Sequence, residues 1–131
     1  MRLSQTTIYA LRAALHLASR EYGVPVPCRQ LAKHGKMPER FLLQVLRRMV
    51  QQGVLRSTCG VAGGYCLSAP PEQISVGQIV EIFDDSLARS TMLLQGVPSR
   101  VRERVSHHFQ QASQACRAEL RKLSLAELLE N

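Results

Sequence analysis

A helix, a short helix, a glycine-containing turn and a longer helix follow one another from the N-terminus. A glycine-tipped pair of short strands comes next, and a long amphipathic segment lies near the C-terminus. These patterns predict a mainly α fold with a small β-wing: a winged helix-turn-helix plus a long C-terminal helix, which either lies along its own winged domain or crosses a partner subunit. The 131 residues suffice for one domain with an appendage, and 45% apolar with 21% charged residues is a globular composition. With no Trp, three Tyr and three Phe, the core must be aliphatic, and a stacking platform for single-stranded nucleic acid is disfavoured.

The first predicted helix runs from Gln5 to Glu21, where Ile8, Leu11, Leu15 and Ala18 recur at helical spacing. Ser4 or Thr6 caps its start, and Gly23, Pro25 and Pro27 end it. A short helix from about Cys28 to His34 is closed by Gly35. Met37-Pro38 opens a third helix, because proline fits a first turn where its missing N–H costs nothing. That helix runs to about Gln52 and stops at Gly53.

The third helix carries the sharpest functional signal. At about 100° per residue, Phe41, Leu42, Val45, Leu46, Met49 and Val50 cover one broad face. Arg40, Gln44, Arg47 and Gln51 lie opposite, with Arg48 at the flank. Arginine can bond guanine O6 and N7 in the major groove, and glutamine suits adenine or phosphate. An apolar back with an Arg/Gln front is what a recognition helix requires.

Val54 to Cys59 then alternates like a half-buried strand, Gly60 to Gly64 supplies turn chemistry, and Tyr65 to Ser68 returns as its partner. Pro70-Pro71 stops it. A hairpin placed directly after a recognition helix reads as a wing whose glycine tip lets backbone approach phosphates or the minor groove. A nucleotide-binding loop is excluded, because no helix start and no Gly-Lys-Ser/Thr follows these glycines. Further on, Ser75 starts a helix with Val76, Ile79, Val80 and Phe83 facing inward, and Ser86 to Ser99 reads as a loop. From Arg100 to Lys122 an amphipathic helix carries Val101, Val105, His108, Ala112, Cys116 and Leu120 on one stripe. A capping box at Ser124 and Glu127 opens a last helix, Leu125 to Glu130.

Charge divides the chain. Residues 1–66 carry ten basic and two acidic side chains, a net +8, whereas residues 67–131 carry seven basic and eight acidic, a net −1. A basic binding half is thus joined to a neutral half suited to pairing. The stretch Ala10–Ala18 is broken by Arg12 and His16, so it is expected to be neither a signal-peptide core nor a membrane span. Four scattered cysteines do not make a disulfide framework, which places the protein in the reducing cytoplasm. No Cys-x-x-Cys, His-Glu-x-x-His or catalytic triad spacing is found, so neither a metal site nor an enzyme is expected.

Several segments resemble one family. Met1-Arg2-Leu3, Tyr9 to Ala13, Leu31-Ala32, Phe41 to Gln44, Gly53-Val54-Leu55, Gly63-Gly64-Tyr65 and Ile74 to Ile79 are similar to the IscR/NsrR-type bacterial regulators of the Rrf2 family. Ser124 to Leu128 resembles the family's C-terminal end. The resemblance implies a homodimeric winged-helix repressor or activator on a palindromic operator. It implies a winged-helix DNA-binding domain at 1–83, a connecting loop at 84–100, and a dimerisation helix with a short last helix at 101–131.

The candidate DNA-binding set is then Arg2, Arg40, Gln44, Arg47, Arg48, Gln51, Arg56, Gly60, Gly63, Gly64 and Tyr65. The dimer-interface set is the stripe Val101, Val105, His108, Ala112, Cys116 and Leu120. Cys59 stands where many members have an arginine before the wing glycines, and Leu43 where many have glutamate. Iron–sulfur members ligate their cluster through three cysteines between the winged domain and the long helix, but Asp84 to Arg100 contains none. No cofactor is therefore expected. Two alternatives stay open: a thiol-redox or metal-responsive regulator using Cys59 and Cys66, or an interaction module signalling through a bound protein. A small-molecule effector is the remaining kind of signal.

Overall fold

The computed structural model describes residues 2–84 and 94–130. In chain order these form α1 (Gln5–Ala18), α2 (Cys28–Gly35), α3 (Glu39–Gln51), a hairpin of β1 (Leu55–Thr58) and β2 (Gly64–Leu67), and a 3-10 turn at Pro71–Gln73. Helices α4 (Val76–Phe83), α5 (Ser99–Arg121) and α6 (Leu125–Leu129) follow. Residues 85–93, most of the predicted 84–100 loop, lie outside the described residues.

Helix α1 is central: α2, α3, α4, β2 and α6 all pack against it. Ser4 caps it, its hydroxyl accepting the Thr7 N–H at 3.2 Å. The side turned to the core is Thr7, Ala10, Ala13, Ala14 and Leu17, all buried. The predicted stripe lies at the margin instead: Ile8 is 37% exposed, and Leu11, Leu15 and Ala18 are half-buried. Alanine has no side-chain bulk or rotamer entropy, so neighbouring elements approach the α1 backbone closely on this face. The helix ends at Ala18, short of the expected Glu21, because the Ser19 hydroxyl donates to the His16 carbonyl at 2.6 Å and turns the chain.

Helix α2 corrects another expectation. Gly35 is its last helical residue, and Lys36 takes the left-handed position with φ 53°. Gly35 serves packing: a Cβ there would come within 2.6 Å of the Met37 methyl, and Met37 is buried. Helix α3 starts after Pro38, as proline at that position predicts, and ends before Gly53 at φ 81°.

The hairpin is antiparallel, with Leu55 opposite Leu67, Arg56 opposite Cys66, Ser57 opposite Tyr65 and Thr58 opposite Gly64. Val26 adds a third, one-residue rung, exchanging both backbone hydrogen bonds with Tyr65 at 2.8 Å. This crossing explains Gly64. Its φ is 149°, and a Cβ would lie 2.4 Å from the Val26 carbonyl group.

Helix α4 begins with a complete capping box. The Ser75 hydroxyl accepts the Gln78 N–H at 3.1 Å, and the Gln78 side chain accepts the Ser75 N–H at 2.8 Å. Val76, Ile79 and Val80 are buried as the periodicity predicts. The C-terminal segment divides in packing. Helix α5 has no buried residue along its 23, whereas Leu125 at the start of α6 is fully buried in the main core. Backbone bonds hold this return: the Val76 N–H donates to the Leu123 carbonyl at 2.8 Å, and the Leu125 N–H to Ile74 at 2.9 Å. Gly77 lets the Arg121 backbone approach α4 to 2.7 Å from where a Cβ would be, and Arg121 pairs with Glu81 at 2.8 Å.

Between α1 and α2 the His16 and His34 rings meet at a tilt of 37°, with centroids 4.1 Å apart. Burial, then the neighbouring His34, then Arg20 push the His16 pKa below its ordinary 6.5. The unfolded chain therefore takes up this proton more readily than the native one. Native stability is greatest above that value and falls as the pH drops through it. Urea midpoints should decline between about pH 7 and pH 5, and His16→Gln should flatten part of that decline. An identical decline in both proteins would show that the pair is not responsible.

Candidate nucleic-acid interface

The site is built on α3. Leu42, Val45, Leu46 and Met49 are buried and fix the rotation of the helix about its axis. Arg40, Gln44, Arg47, Arg48 and Gln51 are consequently all exposed. At about 100° per residue, Arg47, Arg40, Gln51 and Gln44 fall within a sector of roughly 60° and span about 16 Å along the axis. Neither Arg40 nor Arg47 is drawn into an ion pair among the described residues. Their planar donors are free to fork onto a guanine edge or a phosphate.

One α3 residue departs from the sequence reading, and another makes a contact that it did not include. Phe41, expected on the buried face, is 38% exposed and meets Tyr9 of α1 edge-on, with centroids 5.6 Å apart. Arg48 lies over the Phe83 ring of α4, its guanidinium carbon 5.6 Å from the centroid. This second contact joins residues far apart in sequence, and no local pattern announces it.

The wing separates into structural and exposed parts. Gly60 stands at the tip with φ 104° and open space around it, followed by a fully exposed Val61. Gly63 is buried, its N–H donating to the Gly60 carbonyl at 3.1 Å, and a Cβ there would clash with the Thr58 carbonyl. Gly63 is thus required by the hairpin's own geometry, and Gly64 is a glycine because Val26 crosses it. Tyr65 is half-buried against the core, while Arg2 and Arg56 are exposed.

The cysteines do not form the pair that a redox wing needs. Cys66 is buried opposite Arg56, whereas Cys59 is exposed beyond the end of β1, past the Thr58–Gly64 rung. Three residues of offset correspond to about 10 Å along a strand. A disulfide needs Cβ atoms within about 4.5 Å. Cys28 is half-buried, its thiol pointing to the Glu39 carbonyl at 3.8 Å, and burial followed by the Glu39 charge raises its pKa.

On α5, Val101, His108, Ala112 and Cys116 are exposed, and Val105 is half-buried. Leu120 turns instead to its own winged half. Phe109, which the sequence reading omitted, extends the exposed apolar stripe at 37% exposure, and Val101 is 49% exposed. A strict three-four spacing from Val101 passes through His108 and steps over it. His107 is exposed and only meets His108 edge-on, with centroids 5.8 Å apart.

Comparison with known proteins agrees with this geometry. A candidate HTH-type transcriptional regulator of Aquifex aeolicus is 36% identical over 95 residues, covering 72% of this chain and 65% of its own length. The HTH-type transcriptional regulator IscR of Cronobacter sakazakii is 31% identical over 87 residues, covering 66% and 54% respectively. The chain thus spans between about half and two thirds of the length of these curated relatives. The crystal structure of a candidate transcriptional regulator from Listeria innocua superposes with a TM-score of 0.74 at 25% identity, over 98% of this chain and 86% of that one. The family model described as an iron-dependent transcriptional regulator matches residues 3–131, and the chain therefore belongs to the Rrf2 family.

Proposed function

We propose that the chain is a cytoplasmic, sequence-specific transcriptional regulator that binds double-stranded DNA as a homodimer on a palindromic operator. The observation that carries this reading is the unpaired Arg40/Arg47 and Gln44/Gln51 face of α3, held outward by the buried Leu42, Leu46 and Met49. The net +8 of residues 1–66 supplies the long-range attraction to phosphate. Arg56 is exposed on β1, which packs against α3, and the tip at Gly60 and Val61 is exposed on the same hairpin.

Iron does not fit these residues as a resident group. Cluster ligation takes three or four converging thiolates or imidazoles, and 84–100 contains neither Cys nor His. Among the described residues no three His, Cys, Asp or Glu side chains gather into a metal site. Cys28, Cys59, Cys66 and Cys116 belong to four separate elements or turns. The signal in this member is then something other than a family-type cluster.

Binding to a duplex enriched from a random library by the wild-type protein tests the DNA reading. Affinity should fall steeply with salt, by about 0.9 in the log–log slope for each phosphate neutralised. Arg40→Ala and Arg47→Ala should each cost about 1–3 kcal/mol and relax preference at particular bases. Salt-independent binding, or wild-type affinity in both variants, would refute it.

A 23-residue helix with no buried side chain and an apolar stripe at Val101, Phe109, Ala112 and Cys116 supports a second copy as its partner. Sedimentation should give a dimer, and Val101→Asp with Phe109→Asp should dissociate it while leaving the circular-dichroism spectrum of the winged half in place. A wild-type monomer at all concentrations would refute the pairing.

A further inference from the structure

Among the described residues, Arg48 is the one α3 arginine whose head is held by another side chain, and the holder comes from a different element. Its guanidinium carbon is 5.6 Å from the centroid of Phe83, the last residue of α4, within the roughly 6 Å over which a cation is attracted to an aromatic face. Arg48 lies at the edge of the exposed sector, about 80° from Arg40 around the helix. An arginine at that edge addresses the phosphate backbone beside the groove more readily than a base at its floor. A free arginine loses rotamer freedom when it docks, and a side chain already laid on a ring has lost part of it beforehand.

The ring itself is well anchored. Val76, Ile79 and Val80 bury the inner face of α4, the capping box fixes its start, and Glu81 and Gly77 lock it to Arg121 of α5. Phe83 is half-buried and packed against the core, with the Arg48 guanidinium over its ring. The stage for Arg48 is thus set from α4, outside the helix-turn-helix.

We propose that Phe83 is a positioning residue for DNA binding, its aromatic face pre-aiming Arg48 at the phosphate backbone next to the recognition helix. This rests on the DNA-binding reading of α3 given above. It assigns part of the affinity to a residue that touches no DNA, and it makes the placement of α4 a determinant of how α3 binds.

The test is a double-mutant cycle on the full chain with the library-enriched duplex, measured at one salt concentration. Phe83→Leu keeps apolar volume but removes the π-face, and should weaken binding about two- to fivefold. Phe83→Tyr should retain wild-type affinity. In an Arg48→Ala background Phe83→Leu should have no further effect, because its partner is gone. A purely packing role for Phe83 gives a different pattern: Phe83→Leu would weaken binding equally with and without Arg48, and Phe83→Tyr would not be singled out as a rescue. That additive result overturns the proposal, as does wild-type affinity in Phe83→Leu. Arg47→Ala, measured alongside, separates the two claims. Loss of affinity there with an additive Phe83–Arg48 cycle removes only the positioning role, whereas wild-type affinity in both Arg47→Ala and Arg40→Ala removes the DNA-binding reading beneath it.

Discussion

Close approach to the alanine face of α1 is the constraint on which the rest of this molecule depends. Ala10, Ala13 and Ala14 are at most 1% exposed, and the elements around them come from both ends of the chain. A larger side chain at such a position costs about 1–3 kcal/mol by overpacking. Because the approach is tight, α3 can sit against α1 in only one rotation, with Leu42 and Leu46 inward. That rotation presents Arg40, Gln44, Arg47 and Gln51 together. A basic helix with a looser seat would offer the same charge but no fixed pattern of donors.

The chain ends serve opposite purposes. Leu125 is fully buried, and the paired bonds between Ile74–Val76 and Leu123–Leu125 bring α6 back into the core that α1 organises. Helix α5, directly before it, stays outside and keeps Val101 and Phe109 in solvent. The Gly77 contact and the Arg121–Glu81 pair fasten that outer helix to α4. A rigid joint of this kind is useful in a symmetric DNA binder. In the proposed dimer, whatever sets the angle between two copies of α5 also sets the separation of their recognition helices.

Much of this was legible in the sequence, and the failures have physical causes. The faces of α3 could be read because large aliphatic residues and long polar ones alternate at a clean helical period. The buried face of α1 could not, since Ile8, Leu11 and Leu15 outweigh three alanines on any hydrophobicity count, while close packing favours the small residues. Wing glycines announced a turn, but the reasons for Gly63 and Gly64 lie in the Thr58 carbonyl and in Val26, the latter far off in sequence. Register decided the cysteines: a separation compatible with a disulfide in one pairing becomes a three-residue offset in the observed one. The Arg48–Phe83 contact joins two amphipathic helices and has no local signature at all.

The central claim is that α3 reads the major groove in two copies related by symmetry. Dimethyl sulfate protection of guanine N7 on the library-enriched duplex tests it most directly, because N7 lies in the major groove and Arg40 and Arg47 are the groups placed to cover it. Two protected patches, centred about 34 Å apart on one side of the duplex, are predicted. A bound complex that leaves every N7 reactive, or protects a single patch only, would contradict the account.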